Sequence, residues 1–138
     1  MNHAMVCYLV GWMLSVEGGI LLLPMLTAVI YQEPIAFAYL AVSALCLVFS
    51  CLFTRCKPKN TRFYAREGFV TVSLCWIVLA LTGALPFWLS GEIPSYVDAL
   101  FESISGFTTT GATILGDVEA LSHASLLWRS LTHWVGGM

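Results

Sequence analysis

Long apolar runs alternate with short polar segments along the chain. The first run covers residues 4–31, the second covers Ala36–Thr54 and the third covers residues 68–90. At 1.5 Å per helical residue the second run reaches about 28 Å, close to the hydrocarbon thickness of a bilayer. The pattern therefore predicts three transmembrane helices. The first two form a hairpin within residues 1–54 that turns at "YQEPIA".

A single acid, Glu17, interrupts the first run beside Gly18 and Gly19. The run is too long for the apolar region of a signal peptide and lacks a basic start, so we expect it to be retained. An ionisable residue at mid-membrane depth is first considered a functional site, because burying a charge in the bilayer is costly. The alternative is that Glu17 is protonated, or paired where the two glycines let helices approach closely. We favour this alternative and assign Glu17 to no site.

The composition is that of a membrane protein. Hydrophobic residues make up 59% of the chain and charged residues 10%, with a mean hydropathy of +0.84, whereas about a quarter of a soluble domain is charged. The five cysteines show no C-x-x-C or Cys/His ligand spacing, and His123 and His133 have no ligand partner at such spacing. We therefore predict free apolar cysteines, no zinc site and no covalently bound cofactor.

Basic residues are concentrated in one place. The stretch "RCKPKNTRFYAR" holds five of the six Lys and Arg residues of the chain. Such a cluster can bind nucleic acid or lipid headgroups, but between two spans it is most simply the positive-inside signal. We therefore predict that residues 55–67 form a basic cytoplasmic loop, that the N-terminus is cytoplasmic and that nucleic acid is not a partner. The segment after the third run then faces outside.

The external segment begins with a short amphipathic helix. Ser95 and Asp98 form an S-x-x-D capping box, and apolar residues recur at helical spacing up to Gly106. Such a helix reaches about 16 Å, half a bilayer, so it cannot span. It either lies on the surface or enters the membrane part-way and returns.

The stretch "TTTGAT", residues 108–113, is suited to the return. Threonine favours extended backbone and Gly111 permits a positive φ, so successive carbonyls can turn toward one axis. Non-helical backbone at membrane depth survives only where it is buried in protein or lines a water-filled path. A file of carbonyl oxygens replaces the water shell of a dehydrated monovalent cation. On the residues alone, a cation pore and a Thr-rich external loop both remain open.

Two stretches of this region resemble a known family. "DALFESISGFTTTGATIL" and "DVEALSHASLLWRSLTHWVGGM" are similar to the first pore loop and the following helix of the Trk potassium-uptake membrane subunits (TrkH and TrkG) of the Trk/Ktr/HKT superfamily. That family has two N-terminal helices before its first helix–pore loop–helix repeat. The resemblance implies an all-α integral membrane protein with a potassium-channel-like unit in residues 68–138. Its parts are a transmembrane helix at 68–90, a pore helix at about 95–106, a re-entrant filter at 108–113 and the start of a second helix at 124–138.

The resemblance also implies a function. It places the selectivity filter at Thr109, Thr110, Gly111, Ala112 and Thr113, with potassium held by the carbonyls of Thr110 and Gly111. The implied activity is potassium uptake across a bacterial inner (plasma) membrane, and not an enzymatic reaction. The implied partners are the remaining three pore repeats of the parent protein, a second copy in a homodimer, a cytoplasmic nucleotide-binding regulatory subunit like TrkA and the lipid bilayer.

Rival interpretations follow from the same residues. A small helical membrane protein with an accessory or structural role is the main alternative, and an intramembrane enzyme is disfavoured because no Ser/His/Asp or Asp/Asp arrangement has a plausible spacing. Residues 124–138 reach about 22 Å, short of a full crossing, so we expect an N-terminal fragment, from truncation, a gene fragment or a split gene. Arg129 either tunes cation entry or anchors the helix at the interface beside Trp128 and Trp134, and we expect the anchor.

Overall fold

A computed structural model describes residues 2–60, 62 and 64–138. All regular secondary structure in these ranges is helical, which confirms the predicted class. The helices are α1 (His3–Ile20), α2 (Leu22–Ile30), α3 (Ala36–Thr54), α4 (Ala65–Leu89), α5 (Tyr96–Phe107) and α6 (His123–Gly137), with a 3-10 turn at Val118–Ala120.

Within the described residues, three helical stretches are long and apolar enough to cross a membrane. They are His3–Ile30, Ala36–Thr54 and Ala65–Leu89, so the predicted number of spans is confirmed. The first stretch comprises α1 and α2, which meet at Leu21. Pro24 lies in the first turn of α2, where its missing N–H has no intrahelical partner to lose.

The third span begins at Ala65, three residues before the predicted start. The first turn of α4 is polar, so the apolar pattern alone does not reveal it. The carboxylate of Glu67 accepts the N–H of Tyr64 at 3.3 Å and the N–H of Asn2 at 2.5 Å. Asn2 also donates its side-chain amide to the carbonyl of Asn60 at 2.7 Å. The start of α1 therefore lies beside the basic segment and the start of α4, at one end of the molecule.

The hairpin of α1 and α3 packs through small residues. A β-carbon on Gly18 would lie 3.1–3.3 Å from Leu47 and Cys46 of α3. The hydroxyl of Ser43 donates to the carbonyl of Gly18 at 2.8 Å, in a buried position. Close backbone approach and interhelical hydrogen bonds are the usual means of helix association in membranes. Gly18 therefore serves the helix interface, as its position beside Glu17 suggested.

The short helix α5 packs between α4 and α6. Gly83 of α4 faces Ser103 and Phe107, while Gly106 of α5 faces Thr132 of α6. A β-carbon at either glycine would overlap these neighbours, so both positions require the smallest residue. The 12 residues of α5 reach about 18 Å, and the helix is too short to cross a bilayer.

A buried tryptophan joins α6 to α4. Trp128 is 1% exposed, and its indole N–H donates to the carbonyl of Gly83 at 3.0 Å. Pro86 lies one turn further along α4 and has no N–H to offer the preceding turn. The carbonyl of Thr82 therefore lacks the helical partner that an N–H at position 86 would supply. The ring of Phe107 meets Trp128 edge-to-face, with centroids 6.3 Å apart.

Candidate functional site

The start of α5 differs in detail from the predicted capping box. Ser95 occupies the N-cap position with extended backbone, and Asp98 lies in the first turn. The side chain of Ser95, however, makes no capping hydrogen bond. Asp98 still lies where its negative charge complements the helix dipole. The phenol of Tyr96 instead secures this end by donating to the carbonyl of Leu81 in α4 at 2.8 Å.

The end of α5 is closed by the threonines that follow it. Thr108 donates its N–H to Ile104 at 2.9 Å, and Thr110 donates its N–H to Ser105 at 3.0 Å. The last carbonyls of a helix otherwise lack partners. These bonds turn the chain sharply away from the helix axis, and no regular structure follows until residue 118.

Two positive φ angles shape the turn. Thr109 has a φ of 57° and Gly111 a φ of 76°. A threonine in this region is strained because its β-branched side chain crowds the backbone, whereas glycine adopts it freely. A β-carbon on Gly111 would meet nothing within 4 Å. Backbone conformation, and not space, is therefore what requires glycine at this position.

The carbonyl oxygens of the turn are largely unpaired. Ser105 donates its hydroxyl to the carbonyl of Ala112 at 2.5 Å, and Thr109 donates its hydroxyl to the carbonyl of Thr108 at 2.7 Å. The carbonyls of Thr110 and Gly111 accept no hydrogen bond from the residues that the structure describes. Residues 108–114 are exposed. The carbonyl oxygens of Thr110 and Gly111 are thus free on the exposed side of residues 108–113, the 108–113 segment.

The far end of the segment is tied to a buried acid. Glu102 is 1% exposed, and its Oε2 accepts the hydroxyl of Thr113 at 3.0 Å and the N–H of Ile114 at 3.3 Å. Its Oε1 accepts the Nε–H of Arg129 from α6 at 2.6 Å. Glu102 therefore joins Thr113, the last residue of the 108–113 segment, and Ile114, which follows it, to helix α6.

This pair was missed in the sequence. The sequence did not single out Glu102, and Arg129 was expected to anchor the helix at the membrane interface. The structure pairs the two side chains behind the segment, with the side chain of Arg129 21% exposed. The available signal was that Arg129 is the one basic residue outside the cluster at 55–66. A lone cation in an apolar helix needs an acidic partner, and Glu102 lies in the neighbouring short helix.

The start of α6 is held by an acid from the turn between α2 and α3. Glu33 accepts the N–H groups of His123 at 2.9 Å and Ala124 at 3.3 Å, and it contacts the ring Nδ1 of His123 at 3.1 Å. Partial desolvation raises the pKa of Glu33, but these bonds outweigh it and hold the pKa below its ordinary value. The ring of Tyr31 stacks on His123 with centroids 4.1 Å apart.

A second acid supports the same helix end. Glu92 accepts the N–H of Ser122 at 2.7 Å and also accepts the hydroxyl of Ser125. The hydroxyl of the buried Tyr39 in α3 lies 2.8 Å from that of Ser125. Negative charge is favourable at a helix N-terminus, where N–H groups are unpaired. The two carboxylates therefore fix where α6 begins, and α6 in turn positions Arg129 behind the segment.

The other end of α6 lies against the end of α5. A β-carbon at Gly136 would overlap the carbonyl oxygen of Phe107, and one at Gly106 would overlap the hydroxyl of Thr132. The C-terminal half of α6 therefore packs against the last two residues of α5, immediately before the turn begins at Thr108.

Side chains suited to metals do not gather in this structure. Among the described residues, no group of three or more His, Cys, Asp or Glu side chains is placed to hold a metal ion. The five cysteines are free thiols there. At residues 108–113 the chain exposes backbone carbonyl oxygens, a type of ligand that suits weakly hydrated monovalent ions.

Comparison with known proteins identifies the family. Residues 35–138 match the family model described as "TrkH: Cation transport protein". The chain belongs to the TrkH family. This confirms the resemblance found in its sequence, and it places the α4–α5–α6 unit wholly within the matched region.

Individual TrkH-family members are similar over nearly the whole chain. The Trk system potassium uptake protein TrkH of Escherichia coli K12 is 38% identical over 141 residues, covering 100% of this chain and 29% of that protein. TrkG of the same organism is 32% identical, covering 96% of this chain and 27% of that protein. The crystal structure of the potassium transporter TrkH from Vibrio parahaemolyticus superimposes with a TM-score of 0.92 at 31% identity, covering 99% of this chain and 30% of that one. The chain thus spans about three tenths of the length of these relatives.

Proposed function

We propose that this TrkH-family chain contributes one filter segment to a potassium uptake pathway. The observation that carries the proposal is the exposed turn at residues 108–113, which has two positive φ angles and whose Thr110 and Gly111 carbonyls accept no hydrogen bond from the described residues. A dehydrated potassium ion needs several such oxygens in place of its water. The filter set is Thr109, Thr110, Gly111, Ala112 and Thr113, with potassium at the carbonyls of Thr110 and Gly111.

The surroundings of the turn favour a cation. The turn follows the C-terminus of α5, where the helix dipole places partial negative charge. Glu102 behind the turn is paired with Arg129, so these two charges offset each other, while Glu102 holds Thr113 and Ile114 in place. A filter has to be rigid enough to keep its oxygens at ion-binding distance, and anchors at both ends of the segment serve this need.

The proposed membrane arrangement follows from the charge pattern. The basic segment at 55–67 is cytoplasmic, the N-terminus beside it is cytoplasmic, and α5 enters the bilayer from the opposite face as a re-entrant pore helix. Irregular backbone at that depth is stable when it lines an aqueous path. In the inner membrane a negative-inside potential drives a cation inward by about 2.3 kcal/mol per 100 mV. Uptake through such a filter therefore needs no chemical reaction, and we assign no enzyme activity.

One segment does not close a pore, so the proposal includes partners. Relatives named as potassium uptake proteins are more than three times as long as the matched region. We infer that three further repeats complete the filter, that the assembled protein is a homodimer and that a cytoplasmic nucleotide-binding subunit like TrkA regulates it. This chain is then the N-terminal part of the assembly and does not transport potassium alone.

The test exchanges single glycines in the assembled transporter. Gly111→Ala forces a β-carbon onto a φ of 76°, whereas Gly116→Ala adds the same atom at an exposed glycine with ordinary φ; neither β-carbon meets an atom within 4 Å. We expect Gly111→Ala to reduce uptake of potassium, or its selectivity over sodium, at least tenfold, and Gly116→Ala to leave both unchanged. Gly111→Asp abolishes uptake. Unchanged potassium selectivity in both Gly111 variants refutes the filter assignment.

A further inference from the structure

The acid of the first span is buried without an ionic partner. Glu17 is 3% exposed in the last turn of α1, near the middle of the apolar span His3–Ile30. In the part of the chain that the structure describes, the salt bridges involve Glu33 and Glu102, and none reaches Glu17. An isolated carboxylate in an apolar interior is far more costly than a neutral acid. Its hydrogen bonds show how this cost is avoided.

The contact with Thr82 indicates a proton on Glu17. The hydroxyl oxygen of Thr82 lies 2.7 Å from Oε2 of Glu17 and 2.7 Å from the carbonyl oxygen of Val78. A hydroxyl has one proton to donate, and a carbonyl only accepts. When Thr82 donates to Val78, the short contact with Oε2 is a hydrogen bond only if Glu17 donates to Thr82. A neutral Glu17 makes hydrogen bonds of both contacts, whereas a carboxylate can accept from Thr82 only if Thr82 gives up its bond to the Val78 carbonyl.

Glu17 also lines a small cavity. Its Oε1 is buried and has no hydrogen-bond partner among the described residues. The cavity, of about 30 Å³, lies between α1, α4 and α6 and is lined also by Leu79, Phe107, Leu131 and Thr132. This is enough for one water, which needs roughly 10–15 Å³ of such space and at least two polar partners. Glu17 and Thr132 are the residues of this lining that carry side-chain oxygens.

We propose that Glu17 is an intramembrane proton-binding site: a neutral carboxylic acid that donates to Thr82 and accepts a hydrogen bond from one water in this cavity. The titratable group that faces this region from α3 is the thiol of Cys46, which packs against Gly18. Helix α4 presents Leu79 and Thr82, and α6 presents Leu131 and Thr132. None of these four titrates, so no fixed charge compensates a carboxylate here.

The cavity extends to the end of α5, directly before the candidate filter. Phe107 is the last residue of α5 and lines the cavity, and Thr132 packs against Gly106. Loss of the proton would place a charge beneath the turn that begins at Thr108. The neutral acid thus preserves the packing on which the turn rests, independently of whether the turn conducts potassium.

The protonation state is tested by infrared difference spectroscopy on the purified protein in lipid nanodiscs at neutral pH. Glu17→Gln should remove a C=O stretching band of a protonated carboxylic acid. The matched control, Glu119→Gln at an exposed glutamate, should remove carboxylate bands only. Removal of carboxylate bands by Glu17→Gln overturns the proposal.

Two further measurements complete the test. Thr82→Val removes the acceptor while preserving shape, so it should shift the protonated-acid band without abolishing it; an unshifted band overturns the assigned hydrogen bond, even if Glu17→Gln fails to fold. A structure at a resolution that shows ordered waters should contain one within hydrogen-bond distance of Oε1. An empty cavity in that structure overturns the hydration of the site.

Discussion

Replacing Glu102 by glutamine should loosen the filter segment, because one charge and one acceptor disappear from behind it. The carboxylate is 1% exposed and lies 2.6 Å from Nε of Arg129, whose side chain is 21% exposed. Removing one partner of a buried pair costs about 3–5 kcal/mol. The partial exposure of Arg129 places the expected loss at the lower end, about 3 kcal/mol, roughly a hundredfold in an opening equilibrium.

The most direct assay is amide hydrogen exchange of the peptide that contains Ile114. The N–H of Ile114 donates to Oε2 of Glu102, and the single carbonyl oxygen of glutamine cannot serve both this N–H and Arg129 at full strength. We expect exchange at Ile114 to accelerate roughly a hundredfold in Glu102→Gln, by the same conversion of free energy to rate. Potassium uptake should fall in the same variant, because the carbonyls of the segment lose their fixed position.

The control is Asp98→Asn, an acid in the first turn of the same helix that has no ion pair among the described residues. This change removes only a favourable dipole interaction, worth about 0.3–1 kcal/mol. A double-mutant cycle with Arg129→Gln should give a coupling energy above about 1 kcal/mol. Equal exchange rates at Ile114 in Glu102→Gln and Asp98→Asn would refute the role given to the pair. A coupling energy between Glu102 and Arg129 below about 0.5 kcal/mol would refute it as well.

Two other predictions concern α6. The pKa of Glu33 lies below its ordinary value in the folded chain. Its contribution to stability is therefore present above the unfolded pKa of about 4.3 and is lost as the pH falls through the lower folded value. The melting temperature should accordingly fall below about pH 4, and Glu33→Gln should remove this dependence. If the melting temperature of Glu33→Gln still falls over this pH range, another group is responsible for the dependence. Gly136→Ala should lower the melting temperature and disturb the turn after Phe107, because its β-carbon overlaps the Phe107 carbonyl. Gly137→Ala should be tolerated, since the atom nearest to its β-carbon, the Thr109 methyl, lies 3.9 Å away. Equal melting temperatures for the two alanine variants would contradict this account.

The spans and the short helix could be predicted from periodicity and length. Apolar runs of bilayer length are unambiguous, and the capping position of Ser95 and the glycine at 111 identify where α5 begins and where the chain turns. The limits were at polar ends: the first turn of α4 contains Arg66 and Glu67, so apolarity placed its start at 68 instead of Ala65. Such turns are stabilised by hydrogen bonds that an apolar pattern does not report.

The supporting contacts could not be predicted, because they join residues far apart in the chain. Glu33 reaches His123 across 90 positions, and Arg129 reaches Glu102 across 27. Sequence spacing assigns each of these residues a side of the membrane but no partner. The strained φ of Thr109 was also unforeseen, since threonine gives no local reason to enter that region. Its conformation is imposed by the hydrogen bonds that close α5.

The central claim is that the carbonyls of Thr110 and Gly111 bind the transported ion. It is tested most directly by determining the structure of the assembled transporter in thallium, a potassium substitute with strong anomalous scattering. The account predicts an anomalous peak on the pore axis, coordinated by these two carbonyls together with their counterparts from the other repeats. Thallium bound only elsewhere, with the carbonyls of Thr110 and Gly111 facing away from it, would contradict the account.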